Sequence, residues 1–102
     1  MSKYKAVPAV VDNIVFHSGR EANRYSELKM LLRSRIIRDL ELQPKFPIVI
    51  NGHKVCTYIA DFRYIDEQGR IVIEDVKGFA TPLYNLKRKL VEAVYGVRIL
   101  ET

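Results

Sequence analysis

A single cysteine, Cys56, stands alone in this chain of 102 residues, which excludes an internal disulfide and leaves no clustered partners for a zinc site. Cys56 falls in a predicted strand and reads as a small core residue, not a nucleophile. Long apolar runs are also missing. No stretch reaches the length needed to cross a bilayer, and the basic N-terminus is not followed by the unbroken apolar core of a signal peptide. A soluble cytoplasmic protein with no membrane partner is the expectation. Repeats and low-complexity linkers are absent as well, so the chain reads as one domain over residues 1–102, with residues 1–9 a loose tail. Acids are fewer than bases: 12 Asp+Glu against 17 Lys+Arg give a formal charge of +5, which favours polyanionic partners without identifying one.

What is present is ordered by punctuation and periodicity. Val10-Val11 and Ile14-Val15-Phe16 flank Asp12-Asn13, a pair that tolerates left-handed turn geometry, and predict a short hairpin. Ser18 and Glu21 have capping-box spacing and open a first helix, whose buried stripe is Tyr25, Leu28, Leu32 and Ile36 and whose end precedes Gln43-Pro44. Ile48-Val49-Ile50, the turn Asn51-Gly52 and the run Val55 to Ile65 predict a hairpin, and a turn over residues 66–69 adds Ile71 to Lys77 as a third strand. Thr81-Pro82 supplies an N-cap and a proline at the first helical position. Leu83, Leu86, Leu90 and Val94 mark the second helix's stripe, Gly96 closes it, and Val97 to Leu100 form a last short strand.

Three acids fall where the pattern is apolar. Asp61 shares a strand face with Ile59 and Ile65, and Asp75 and Lys77 share one with Ile71 and Ile73, while Val72 and Val76 point the other way. A buried carboxylate needs a cation, a metal or hydrogen-bond donors, so Asp75 calls for a partner; an ion pair with Lys77 or a nearby arginine is the plain alternative. Glu21 lies four residues from Tyr25 and seven from Leu28, within the helix stripe, whereas Glu27 falls at its margin. Capping is the plain role for Glu21 and is compatible with metal ligation. Two carboxylates side by side on neighbouring strands can hold a hard cation such as Mg²⁺ or Mn²⁺, and a lysine two residues beyond the second can steady a phosphate or the attacking water. The basic runs Arg33, Arg35, Arg38 and Lys87, Arg88, Lys89 each read, taken alone, as a solvated helix face. His17 and His53 have no partner at metal or triad spacing and read as loop residues.

Taken together, Ser18-x-x-Glu21-Ala22-x-Arg24-Tyr25, Gln43-Pro44-x-Phe46, Tyr58-x-Ala60-Asp61-Phe62-x-Tyr64, Glu74-Asp75-Val76-Lys77-Gly78 and Leu86-Lys87-x-Lys89-Leu90 resemble a small phage-encoded family of Holliday-junction-resolvase-like nucleases in the PD-(D/E)XK superfamily. The resemblance runs from Val10 through nearly the whole chain. It implies an α/β, restriction-endonuclease-like α-β-β-β-α-β core, a mixed sheet flanked by two helices, with the short N-terminal hairpin added. By position it implies Asp61 and Asp75 as acidic metal ligands, Val76 as a backbone-carbonyl ligand, Lys77 as the motif lysine and Glu21 as the first-helix acid. Gln43, Lys87, Arg88 and Lys89 are implied as DNA contacts. The chain departs from the pattern at Ala60, where the superfamily's proline stands, and at His17 and Gly19, where an acidic and a basic residue are expected.

The expectation is therefore a Mg²⁺- or Mn²⁺-dependent DNA endonuclease acting on branched DNA, such as a Holliday junction. Symmetric cutting needs two active sites and hence a homodimer, through Val10 to Phe16 or the last strand. Two rivals stand beside it. A non-catalytic nucleic-acid-binding protein would bind in a salt-sensitive way without divalent-dependent cutting. A small structural protein whose carboxylates only form ion pairs would neither bind DNA nor be stabilised by Mg²⁺ or Mn²⁺.

Overall fold

The computed structural model describes residues 7–76 and 80–102; Lys77 lies outside the described residues. Strands β1 (Ala9–Val11) and β2 (Ile14–Phe16) form the expected hairpin, with Asp12 and Asn13 both at positive φ as the turn requires. Ala9 is already paired with Phe16, so the strand begins inside the segment expected to be a loose tail.

Helix α1 (Gly19–Arg33) starts where the capping pattern places it: Ser18 Oγ accepts from the Glu21 backbone N–H at 3.2 Å. Ala22, Tyr25 and Leu28 are buried on one face and pack with Phe16, Phe62 and Tyr64. The helix ends earlier than its apolar spacing suggests. Arg35 takes the left-handed conformation at φ 62°, and the N–H groups of Arg35 and Ile36 return to the carbonyls of Leu32 and Leu31. Ile37, not Ile36, is the buried residue, and Arg38–Leu42 becomes strand β3 in place of further helix.

That change shifts the strand order but preserves the core. After β3 come β4 (Lys45–Ile50), β5 (His53–Ile59), β6 (Phe62–Ile65), β7 (Ile71–Asp75), helix α2 (Pro82–Tyr95) and β8 (Ile99–Glu101). The four-stranded sheet runs β3-β6-β7-β8, antiparallel except for the parallel β7–β8 pair, which the α2 crossover makes possible. The fold is thus α/β with a mixed sheet whose strands follow the helices in α-β-β-β-α-β order, β3, β6 and β7 coming between α1 and α2 and β8 after α2. The β4–β5 hairpin, expected as part of the meander, forms a separate two-stranded sheet. Consequently the run from Val55 to Ile65 is two strands, not one. The chain bends at Ala60-Asp61, opposite a matching bend at Gln43-Pro44, and the corner is tied by Ala60 N–H to Pro44 C=O (3.1 Å) and Gln43 N–H to Asp61 C=O (2.9 Å).

The two helices cover opposite faces. Phe62 and Tyr64 of β6 turn to α1, while Ile73 and Ile99 turn to α2 and join Phe46, Ile48, Tyr58 and Val91. Along β7 the alternation sends Ile73 and Asp75 to the α2 side and Val72, Glu74 and Val76 to the α1 side. Ile71, expected beside them, is exposed. The α2 stripe is also displaced: Val91 is fully buried, whereas Leu83, Leu86 and Val94 are exposed. Thr81 caps the helix through the Tyr84 N–H, and Gly96, at φ 67°, closes it.

Candidate active site

The corner between β5 and β6 determines where Asp61 sits. Because the strand breaks there, Asp61 does not share a pleated face with Ile59, which is exposed, or with Ile65. Instead its backbone N–H donates to Glu74 C=O at 3.1 Å, and its Oδ2 accepts from the Val76 N–H at 2.7 Å. The carboxylate is thereby clamped to the end of β7, one residue past Asp75. From the other side, the first turn of α1 brings Glu21 against it. Glu21 is 8% exposed, and its carboxyl is held above the ordinary value by burial and by the neighbouring Asp61, with which it shares a hydrogen bond. The Glu21 carboxyl also accepts from the His17 backbone, so Ser18 supplies the cap while Glu21 closes the box one residue earlier than its spacing suggests.

Asp75 is 2% exposed and approaches from the α2 side. The Tyr58 hydroxyl donates a hydrogen bond to its Oδ2, and its backbone carbonyl accepts from Thr102 N–H at 2.9 Å. Tyr84 stands beside it, its phenol pushed well above the usual range by burial, by a hydrogen bond to Glu101 at 2.7 Å and by the charge of Asp75. A cleft of about 290 Å³ reaches Asp75 between Thr57, Tyr58, Tyr84 and Lys87.

Glu21 and Asp61 therefore meet directly, and Asp75 lies at the same strand end on the opposite face of the sheet. Among the described residues, no three His, Cys, Asp or Glu side chains converge as a preformed metal cage. The donors nonetheless suit a hard divalent cation: all are oxygens, and the buried Glu21–Asp61 contact sets two carboxylates against each other, a repulsion that such a cation relieves.

The residues expected to contact DNA divide. Gln43 is exposed at φ 52°, with its N–H tied to Asp61, so it borders the corner. Lys87 lines the Asp75 cleft and donates from Nζ to Thr57 C=O at 3.4 Å. Arg88 is instead turned into ion pairs with Glu92 (3.1 Å) and Glu101 (3.8 Å), which makes it a bracket between α2 and β8. Lys89 is exposed.

Glu74 was not among the expected site residues, yet it is fully buried beside Asp75. Arg24 clamps it with Nε to Oε2 at 2.5 Å and Nη2 to Oε1 at 3.0 Å, while the hydroxyls of Tyr64 (2.8 Å) and Thr102 (3.0 Å) complete the set. Burial and the Glu74 carboxylate push the Tyr64 phenol up to about 12, and the same carboxylate raises the Arg24 guanidinium further still. The signal was available in the alternation of β7, which puts Glu74 on the covered face with Val72 and Val76. Arg24, one turn beyond Glu21, was its matching cation. This network joins α1 to β7 and so fixes Glu21 relative to Asp75.

Searches of curated proteins and of solved structures return no match. A family model described as a protein of unknown function, DUF1064, matches residues 1–100, and the chain belongs to that family.

Proposed function

We propose that this protein is a metal-dependent DNA endonuclease of PD-(D/E)XK type that hydrolyses phosphodiester bonds in branched DNA, the Holliday junction being the model substrate. The observation that carries the reading is the corner at Asp61, where Glu21 from α1, Asp61 and the strand end bearing Asp75 come together. Glu21 and Asp61, which already meet, and the Val76 carbonyl are the proposed ligands of Mg²⁺ or Mn²⁺; Asp75, whose carboxylate faces the α2 cleft, would join them by turning around the strand end, and Lys77 would steady the phosphate or water. When bound, the cation would acidify a water molecule and offset charge at phosphorus.

Hydrolysis joins the water oxygen to phosphorus and breaks one phosphorus–sugar oxygen bond, leaving a phosphate monoester and a hydroxyl. The chain's own contribution is positioning. The Val76 amide orients Asp61, the Tyr58 hydroxyl orients Asp75, and the Arg24–Glu74 pair locks the helix that carries Glu21. Lys87, in the Asp75 cleft, and Gln43, at the corner, are the residues proposed to meet the backbone of the bound strand.

Symmetric incision of a junction requires two such sites, and we include a homodimer in the proposal. Val10 and Val15, cross-strand partners that are 64% and 67% exposed, give the hairpin an apolar outer face suited to that contact, and Leu100 of the last strand is 45% exposed.

The test is cleavage of end-labelled four-way junction, flap, duplex and single-stranded DNA with Mg²⁺, Mn²⁺ or EDTA, wild type beside Asp75→Ala. Divalent-dependent cutting that is lost in the variant supports the nuclease. Cutting by highly purified Asp75→Ala would overturn the assignment, and salt-sensitive binding without any cutting would favour a non-catalytic nucleic-acid-binding protein.

A further inference from the structure

A second cleft, of about 570 Å³, lies on the α1 side of the same strand end, lined by Gly19, Arg20, Asn23, Arg24, Val76 and Thr102 among others. We propose that it is a phosphate subsite, in which Arg20 and Asn23 take a backbone phosphate of the nucleic-acid strand next to the one being cut. The inference rests on the nuclease reading and adds contacts outside the basic cluster of α2.

Position carries the first part. Val76 lines this cleft and Asp75 lines the other, so the end of β7 is a ridge with a cleft on each side. A strand whose scissile phosphate sits at the ridge presents neighbouring phosphates to both. Lys87 is the cation on the α2 side; the α1 side needs its own.

Charge identifies that cation. Arg24 also borders the cleft, but Glu74 and Glu27 hold its guanidinium, so it carries no surplus charge to a ligand. Arg20 differs. Among the described residues it is exposed and, unlike Arg24, not clamped by side-chain carboxylates; its Nη2 donates to a backbone oxygen of Thr102 at 3.3 Å, and a planar guanidinium can offer paired N–H groups to phosphate oxygens. Asn23 is exposed on the same helix and adds a neutral amide donor.

Gly19 provides a gain-of-function test, because its backbone is not in the left-handed region and a Cβ built there meets nothing within 4 Å. Binding of fluorescently labelled four-way junction DNA would be measured in EDTA across a salt series, using Asp75→Asn as the parent so that no cutting intervenes. Arg20→Ala in that parent is expected to weaken binding roughly fivefold and to lower the slope of log affinity against log salt by about one. Asn23→Ala should weaken binding with the slope unchanged, and Gly19→Lys should tighten binding and steepen the slope. Arg70→Ala, at the opposite end of β7 where Arg70 pairs with Asp66, should leave affinity near the parent's. If the parent binds while Arg20→Ala and Gly19→Lys both match it in affinity and slope, the subsite is refuted, and wild-type cleavage assayed alongside shows whether the nuclease reading survives. A parent that binds no DNA overturns the subsite directly.

Discussion

Glu21 and Glu74 are both buried acids of the same strand end, held in opposite ways. Glu74 has an arginine and two hydroxyls around it; Glu21 faces another carboxylate. The Glu21 carboxyl is raised above its unfolded value of 4.5 by burial and by Asp61, so the native state holds that proton more tightly than the unfolded chain. The sign follows: this stabilisation is fully present below pH 4.5 and is lost as pH rises through the folded value. In EDTA, Glu21→Gln should therefore melt at a higher temperature than wild type at neutral pH, with the difference closing as the pH is lowered. Thermal melts from roughly pH 4 to 8 check this, and a variant that melts lower at neutral pH would contradict it. Removing Arg24 acts the other way, because Arg24→Ala leaves the fully buried Glu74 with hydroxyl donors only. A loss of about 3–5 kcal/mol is expected in urea unfolding, and a loss below about 1 kcal/mol would show that the pair is not buried as described. At this scale Glu21 and Asp75 were legible because a charge in an apolar stripe is a visible anomaly. The geometry of Asp61 was not, since its carboxylate is placed by a corner that strand alternation does not reveal.

Among the elements, those announced by caps and turn residues were legible. Ser18, Thr81, Asp12-Asn13, Asn51-Gly52 and Gly96 mark their boundaries where the chain uses them. The end of α1 carries no such mark, because an arginine occupies the left-handed position that glycine usually takes, and apolar residues continue at helical spacing into β3. Arg35→Gly should relieve that strain and raise stability by about 0.5–1 kcal/mol, read as a higher urea midpoint with unchanged helical circular dichroism; a lower midpoint would mean that the arginine side chain contributes more than its backbone costs. In α2 the spacing of Leu83, Leu86, Leu90 and Val94 was a true periodicity, but of these four only Leu90 packs against the core, partly buried. The helix is apolar over two adjacent faces, and the sheet takes the one bearing Tyr84 and Val91. Periodicity alone does not choose between them.

For the whole molecule, one sheet between two helices brings its acids to a single strand end and leaves a cleft on either side of it. The paired exposure of Val10 and Val15 bears on assembly: sedimentation should show a dimer, and Val15→Asp should shift it to monomer while leaving the thermal melt of the domain nearly unchanged. A wild type that stays monomeric with junction DNA present would remove the dimer from the account. The most direct test of the reaction centre is single-turnover cleavage of a four-way junction by Asp61→Asn beside wild type, with Mn²⁺ and with binding measured in the same samples. Asparagine keeps an oxygen that can accept from the Val76 N–H but removes the charge that a cation requires. Wild-type cleavage with bound but uncut junction in the variant is the expected result; cleavage by Asp61→Asn at the wild-type rate would contradict a carboxylate-held metal at this corner.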